Sequence, residues 1–446
     1  MKTLLLSLAF ALIAAPAFAA ATPKEVSIGA GEQVWFEEDH TVPMVAITVA
    51  LPAGSAYDPA SKPGLAAFAA YMFNEGAGDL SSVQYQSALA NKAIQLTMTP
   101  DRDYLLLSVS TLSSNAKEAF RLLALALQHP HMDADAVERV RAQMLQSLLT
   151  DAQDPQNVAL DRFYEIYFAN HPYAHNITGT AAGLKAVTPA DLKAFVRTHW
   201  VKAGAKISVA GDIDAVTLKA LLKATFDPLP ATAPPAVAPV SRVGLHGVMV
   251  VPMDVPQPTA IFGLPGLLRA DPAYLAGYVA NYVVGGGDFS SRLTDEVRTK
   301  RGLTYGISTS FGDYQRAGYV IGQVATRRES MSQSLDVIRA TLANYAAHGP
   351  TQAELNDAKT YLTGSYPLAF SSNTGIAAQL NTFERAGLPI GYVTDRNARI
   401  NALTLDQVRA AAARLFDPKA MTVVVGGSIV VAATHTKLPR KPASHS

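Results

Sequence analysis

An arginine and a tyrosine seven residues apart are the two side chains in this sequence that best suit binding of a polar substrate. Arg298 lies near the end of a predicted helix, before Gly302, and Tyr305 opens the extended segment that follows. A helix end and a strand start can converge on one point. A guanidinium is planar and always charged, so it suits carboxylate or carbonyl groups. The alternative is that the arginine only favours the helix dipole and that the tyrosine belongs to the core.

The histidines are the other side chains that could do chemistry, as metal ligands. The ten histidines are scattered, and the close pairs are His129/His131 and His171/His175. The first pair has a proline between its members, which suits a turn. The second pair has the spacing of a helical metal site, but a proline and an Asn-Ile-Thr-Gly run predict a loop there. We therefore expect surface-loop imidazoles and no bound metal. The chain has no cysteine, which excludes disulfides, thiolate catalysis and cysteine-based zinc sites.

The elements that must position these side chains are present twice along the chain, with a period of roughly 210–218 residues. Each copy has a strand that leads into a helix, then a long helix, then a capped helix that leads into another strand. In the first copy the opening strand, 45–53, alternates with period two, which predicts a half-buried strand. The three passages are 45–72, 133–149 and 187–211 in the first copy, and 260–284, 351–366 and 403–427 in the second.

Four of the predicted helices have capping side chains at their first residue. Thr188 with Asp191, Thr404 with Gln407 and Thr351 with Glu354 have the spacing of a capping box, and Asp133 also precedes a helix. These signals fix where the repeated helices begin.

The two copies are joined by a stretch rich in proline and alanine. Residues 226–240 contain five prolines, which exclude a regular helix or a central strand and predict a semi-stiff linker. Strands and helices do not alternate strictly, so the predicted class is α+β. We divide the chain into residues 1–19, an N-terminal domain 20–228, a linker 229–240, a C-terminal domain 241–430 and a basic tail 431–446.

Composition and the N-terminus limit where the protein acts. Hydrophobic residues make up 49% and charged residues 16%, as in a well-cored globular protein, and the net charge of +1 gives no field that favours nucleic acid. Lys2, the apolar run 4–15 and Ala17-Phe18-Ala19 have the pattern of a cleaved secretory signal peptide, which predicts a periplasmic protein. No later stretch reaches ~18 uncharged apolar residues, so we expect no membrane anchor; a retained N-terminal anchor is the alternative.

Four segments, in their order and spacing, carry a family resemblance over nearly the whole chain after the leader. The sequence resembles the insulinase/pitrilysin (inverzincin) zinc peptidases. The resemblance implies two homologous α/β-roll domains that form half of a clam-shell. The segments are Lys62–Ala66, His171–Tyr173 followed by Gly179-Thr180, Asp191–Asp212, and Ser290–Tyr305.

The zinc site of that family is missing from this chain. Active members carry H-x-x-E-H on a helix, and the aligned positions here are Ala67, Ala70 and Tyr71. The region of the third ligand, 143–150, contains no acid, and Glu138 matches an acid that supports the ligands in the family. The resemblance therefore implies that this chain binds no zinc and that a partner subunit carries it.

In the family the residues that match Arg298 and Tyr305 reach the active cavity from the half opposite the zinc. There they would bind peptide and stabilise the oxyanion that forms when zinc-bound hydroxide attacks a peptide carbonyl. The resemblance thus implies the zinc-less subunit of a heterodimeric metallopeptidase, inactive alone, whose homologous partner carries H-x-x-E-H and whose substrates are peptides or unfolded chains. The alternative is a non-catalytic binding or assembly subunit of the same family. An autonomous zinc peptidase would need ligands that the sequence lacks.

Overall fold

The computed structural model describes residues 21–28, 33–241 and 246–429. The predicted leader, 1–19, and the predicted tail, 431–446, lie outside these residues. No helix in the described ranges is long and apolar enough to cross a membrane.

The first half is built on a six-stranded mixed sheet, called here the first sheet. Its strands are β1 (Lys24–Ser27), β2 (Gln33–Glu38), β3 (Met44–Leu51), β6 (Gln95–Pro100), β7 (Leu105–Leu112) and β8 (Lys206–Gly211), and β4 (Gly76–Ala77) and β5 (Leu80–Ser81) form a separate hairpin. The order across the sheet is β1-β2-β8-β3-β7-β6. The β2–β8 pair is parallel and the other pairs are antiparallel.

The described residues of the first half form eight helices, and all of them except Pro155–Tyr167 share one core with the first sheet. Most of the large core packs between one face of the first sheet and these helices. The helices are α1 (Leu65–Met72), α2 (Ser82–Asn91), α3 (Ala116–Gln128), α4 (Ala134–Asp151), α5 (Pro155–Tyr167), α6 (Ala181–Ala186), α7 (Pro189–His199) and α8 (Ala215–Phe226).

The second half repeats this plan around a five-stranded second sheet. The strand order of the second sheet is the same as the order β6-β7-β3-β8-β2 of the first sheet. Its one parallel pair takes the position of the parallel β8–β2 pair. The shared topology establishes that the fold is duplicated. Its elements are β9 (Gly247–Val251), β10 (Thr259–Pro265), α9 (Tyr274–Asn281), β11 (Ile307–Tyr314), β12 (Ala317–Ala325), α10 (Met331–His348), α11 (Gln352–Gly364), α12 (Asn373–Arg385), α13 (Tyr392–Asn401), α14 (Leu405–Leu415) and β13 (Thr422–Gly426), in the sheet order β11-β12-β10-β13-β9.

Each half covers the sheet of the other half with one helix. Helix α12 of the second half lies on β2, β3 and β8 of the first sheet, and the equivalent α5 of the first half lies on β10 and β13 of the second sheet. The amide of Asn381 on α12 donates to Thr48 O at 3.2 Å and Lys206 O at 3.0 Å. The two halves are therefore interlocked by a reciprocal exchange of helices.

This exchange overturns the prediction that the strand at 45–53 is half-buried. Strand β3 is buried on both faces, because Val45 and Ile47 belong to the core of the first half while Ala46 faces α12. The period-two alternation in the sequence of β3 therefore reflects two different apolar neighbours, the core of the first half on one face and α12 on the other, and not a face exposed to solvent.

Three of the predicted helix caps are confirmed and one is wrong. Thr188, Thr351 and Thr404 each form a complete capping box. Asp133 precedes α4 but its side chain makes no cap bond. Its carboxylate instead lies 3.6 Å from Nδ1 of His131.

The predicted linker has no regular structure, but it is held along its length. Residues 227–241 contain no helix or strand. Pro230 O accepts from Lys202 N–H at 3.0 Å, and Val240 N–H donates to Arg316 O at 3.3 Å. The stretch therefore spans both halves in contact with them.

Candidate functional site

Arg298 lies in a short, wide helical segment that precedes β11. Residues Thr294–Thr299 form a π-helical turn, in which Lys300 N–H donates to Asp295 O, and Gly302, with φ of +60°, ends it. A glycine suits this backbone because other residues are strained at positive φ. The predicted end of the helix, before Gly302, is thus confirmed.

Tyr305 stands on a turn that a threonine side chain fixes. The hydroxyl oxygen of Thr304 lies 2.8 Å from Gly306 O and 2.7 Å from Ala325 O, so its one O–H can donate to either carbonyl, and it accepts from the N–H of Gly306. The Tyr305 side chain is 89% exposed, so the alternative that it belongs to the core is wrong. Strand β11 begins at Ile307, two residues later than predicted, because this turn comes first.

The Arg298 guanidinium lies over an exposed aromatic ring and not beside a carboxylate. Its Cζ is 4.5 Å from the ring centre of Phe289, which is 70% exposed. Its cationic neighbours differ: Lys300 lies 2.7 Å from Asp295 and 2.6 Å from Glu296, and Arg301 lies 2.5 Å from Glu296. These two cations hold the pKa of Glu296 below its usual value. Among the described residues, Arg298 has no such partner.

The glycine run before this segment packs against β11. A Cβ on Gly285 would lie 2.4 Å from Thr309 Oγ1, a hydroxyl that donates to Asn281 Oδ1 at 2.8 Å. The run continues into Asp288, with φ of +50°, and then Phe289. It thereby displays Phe289 beside Arg298.

Sequence reasoning missed two residues of this site, Thr304 and Phe289. A threonine beside a glycine-flanked tyrosine is a turn signal, and an aromatic residue after a glycine run is unusual in a polar loop. Both signals were present but neither specifies contact with Arg298 or Tyr305.

The three positions of the missing H-x-x-E-H motif lie on α1, and two of them, those of the first histidine and of the general-base glutamate, are buried. Ala67 is 0% exposed and Ala70 is also buried, whereas Tyr71 is 43% exposed. Helix α1 is held at its start by Asp58, whose carboxylate accepts the N–H groups of Gly64 and Ala66, each at 2.7 Å. Burial raises the pKa of Asp58 to about 7, against the lowering effect of these two bonds.

Glu138, the acid that matches the supporting acid of the family, takes part in a structural contact. Glu138 on α4 pairs with Arg141 at 3.2 Å, and the Arg141 guanidinium lies 5.2 Å from the ring centre of Phe68 on α1. Arg141 also donates to Val187 O at 2.8 Å. Glu138 thus supports a contact between helices. Within the described ranges no three His, Cys, Asp or Glu side chains are grouped as metal ligands are.

The His171/His175 pair lies in a loop, as its sequence indicates. Residues Pro172–Ala174 form a single 3₁₀ turn between the two histidines. His171 already uses both ring nitrogens, since Nδ1 accepts from Tyr173 N–H at 3.1 Å and Nε2 lies 2.8 Å from Ala238 O. His171 thus links this loop to the Pro/Ala-rich stretch at Ala238.

Comparison with known proteins identifies the family to which this geometry belongs. Residues 33–181 match the family model described as insulinase (peptidase family M16), and residues 186–362 match the one described as the peptidase M16 inactive domain. The chain belongs to the insulinase family. It is a member in which Ala67, Ala70 and Tyr71 occupy the positions of the zinc motif.

Relatives of this insulinase-family chain include one described as a non-peptidase homolog and others described as uncharacterized zinc proteases. The non-peptidase homolog YmxG of Helicobacter pylori is 28% identical over 413 residues, which are 92% of this chain and 94% of that protein. An uncharacterized zinc protease of Streptomyces coelicolor is 25% identical over 363 residues, 80% of this chain and 79% of the relative. The crystal structure of a peptidase M16 inactive domain from Pseudomonas fluorescens has a TM-score of 0.86 and 28% identity, and covers 94% of this chain and 100% of that one.

Proposed function

We propose that this protein is the zinc-less subunit of a heterodimeric metallopeptidase, to which it contributes Arg298 and Tyr305. A homologous partner with H-x-x-E-H supplies zinc and the attacking water. Arg298 and Tyr305 bind the peptide and donate to the oxyanion that forms at the attacked carbonyl. The substrates are peptides or unfolded polypeptides.

The observation that carries this proposal is a pair of donors, the exposed phenol of Tyr305 and the half-buried guanidinium of Arg298, for which the described residues supply no hydrogen-bond acceptor. Tyr305 is 89% exposed, and Arg298 stacks on a ring while its neighbours Lys300 and Arg301 are paired with acids. The exposed Tyr305 side chain, on a turn fixed by Thr304, contributes nothing to the packing of the core. The inactive-domain relative and the non-peptidase homolog support a role that depends on another subunit.

Export to the periplasm is part of the same proposal. It rests on the leader pattern of residues 1–19, with Ala17-Phe18-Ala19 as the cleavage site. N-terminal sequencing of the protein from the producing cell should begin at Ala20, and a chain that keeps Met1 would argue for a retained anchor.

The decisive experiment is a peptidase assay with each subunit alone and with their mixture, on an unfolded peptide. We expect activity only in the mixture, because this chain lacks the zinc ligands and, in the proposal, the partner's zinc site needs the two donors of this chain. Arg298→Ala and Tyr305→Phe should each lower kcat by about 10²–10³, the loss usual for one oxyanion donor. Size-exclusion chromatography should show that both variants still form the heterodimer.

Matched controls separate catalysis from general damage. Arg399→Ala removes an exposed arginine paired with Asp395, and Tyr361→Phe removes an exposed phenol in the same half. Both should leave activity unchanged. Full activity of the Arg298 and Tyr305 variants in the mixture would reject the catalytic role and favour the alternative of an assembly subunit.

A further inference from the structure

A cavity of about 350 Å³ lies where the two halves meet, and its lining is unusually rich in arginine. Asp101, Asp103 and Tyr104 come from the turn between β6 and β7, and Arg316 comes from the equivalent turn between β11 and β12. Arg385, the last residue of α12, completes the arrangement. Each half thus contributes groups to the same cavity.

The two arginines carry donors that the protein does not satisfy. Nε of Arg316 and Nε of Arg385 are both buried and have no hydrogen-bond acceptor among the described residues. The nearest carboxylate oxygen of Arg385 is Asp101 Oδ2, 3.8 Å from Nη1, and its Cζ lies 5.5 Å from the ring centre of Tyr104. Neither contact accepts a hydrogen bond from Nε.

Three of the four carboxylate oxygens of the cavity already accept hydrogen bonds from other donors. Asp103 accepts the N–H of Gln315 at 2.9 Å with one oxygen and the hydroxyl of Tyr173 with the other. Asp101 accepts the N–H of Arg102 with Oδ1. The two carboxylates therefore offset charge without filling the guanidinium donors.

A third guanidinium also lines the cavity and is held in place by aromatic rings. Arg269 lies 4.2 Å from the ring centre of Tyr274 and 5.2 Å from that of Tyr392. The lining thus holds three arginines and two aspartates. A buried donor without an acceptor costs free energy, and it costs more when the donor is charged.

We propose that this cavity binds a carboxylate group, held between the guanidiniums of Arg316 and Arg385. A carboxylate has two oxygens in the geometry that guanidinium forks accept, and the pair gives short, charge-assisted bonds. The carboxylate belongs to a peptide C-terminus or to an acidic side chain of a ligand, since both present the same group.

This site is separate from the one formed by Arg298 and Tyr305. Tyr305 precedes β11 and Arg316 follows it, so the eight-residue strand lies between them. At about 3.4 Å per residue the separation is roughly 25 Å. The carboxylate site therefore does not depend on the proposed catalytic role.

Isothermal titration of the full chain with four probes tests the inference. The probes are an N-acetylated tetra-alanine with a free C-terminus, its C-terminal amide, the same amide with one aspartate, and inorganic phosphate. We expect saturable binding of at least one carboxylate probe and at least tenfold weaker binding of the alanine amide. A preference for the free C-terminus or for the aspartate identifies the source of the carboxylate.

Variants then assign the binding to these two arginines. Arg316→Gln and Arg385→Gln should each weaken the carboxylate probe at least tenfold, while Arg121→Gln, an exposed arginine paired with Glu118 on α3, should not. Binding that both variants leave unchanged would overturn the inference. The inference would also be overturned if the wild type bound the alanine amide as tightly as the free carboxylate, or bound phosphate alone. These two tests use only the wild-type protein, so they do not depend on the folding of a variant.

Discussion

At the scale of single residues, Ala67 and Tyr71 show how the positions of a lost zinc site differ. They are one turn apart on the same face of α1, yet Ala67 is 0% exposed and Tyr71 is 43% exposed. We expect Ala67→His to lower the free energy of unfolding by about 1–3 kcal/mol, because an imidazole overpacks the core. Tyr71→His should cost less than about 1 kcal/mol. Urea unfolding of both variants measures the difference, and equal losses would contradict the burial of Ala67.

The same residues mark what the sequence could and could not predict. The absence of His at 67 and 71 is visible directly, but the burial of α1 depends on β6, α4 and α7, which come later in the chain and pack against it. Likewise, alternation after Tyr305 suits a strand, but the exposed position of Tyr305 depends on the hydroxyl of Thr304 reaching Ala325 O. Tertiary contacts of this kind produce no periodic pattern in the sequence, so they could not be predicted from it.

At the scale of elements, α12 decides the environment of a buried acid. Burial between α12 and the first sheet raises the pKa of Glu384 to about 7, against smaller lowering effects of Lys206 and of the Ser208 hydroxyl, which donates to it at 3.1 Å. The folded chain therefore keeps this proton at pH values where the unfolded chain has lost it. Consequently the free energy of unfolding should fall as the pH rises from the ordinary glutamate value of 4.5 to about 7.

Glu384→Gln tests this element, because the amide keeps the shape of the side chain and has no proton to lose. We expect the variant to be more stable than the wild type at pH 8, by up to about 3 kcal/mol, and close to it at pH 4.5. Denaturant unfolding across this pH range gives the comparison. Some decline should remain in the variant, since burial also raises the pKa of Asp58. Parallel curves for the two proteins would show that Glu384 does not titrate in this way.

The position of α12 on the first sheet is not specified by the sequence of α12 itself. Its apolar residues Ile376, Leu380 and Phe383 predict one buried face, and the repeat predicts an equivalent helix, α5. Nothing in either pattern says that the buried face belongs to the other half. The amide of Asn381 bonds to Thr48, hundreds of residues away in sequence, and such pairings follow only from the assembled sheets.

At the scale of the whole molecule, the exchange of α5 and α12 makes the two halves interdependent. In an isolated first half, Trp35, Ala46 and Ala210 would lose their cover, and the apolar face of α5, with Phe163 and Tyr167, would lose the second sheet. We expect residues 20–228 and 229–446, expressed separately, to aggregate or to bind a hydrophobic dye, because each exposes a large apolar surface.

Co-expression of the same two fragments should restore a soluble one-to-one complex, since the exchanged helices need no covalent connection. A protease site placed in the linker of the full chain is the matched control, and the cut protein should elute from a sizing column as one uncut-sized species. Circular dichroism and size-exclusion chromatography distinguish the cases. If each fragment alone were monomeric and unfolded cooperatively, the halves would be independent domains and the helix exchange would contribute little to their stability. We do not expect this result, because the exchange buries aromatic side chains.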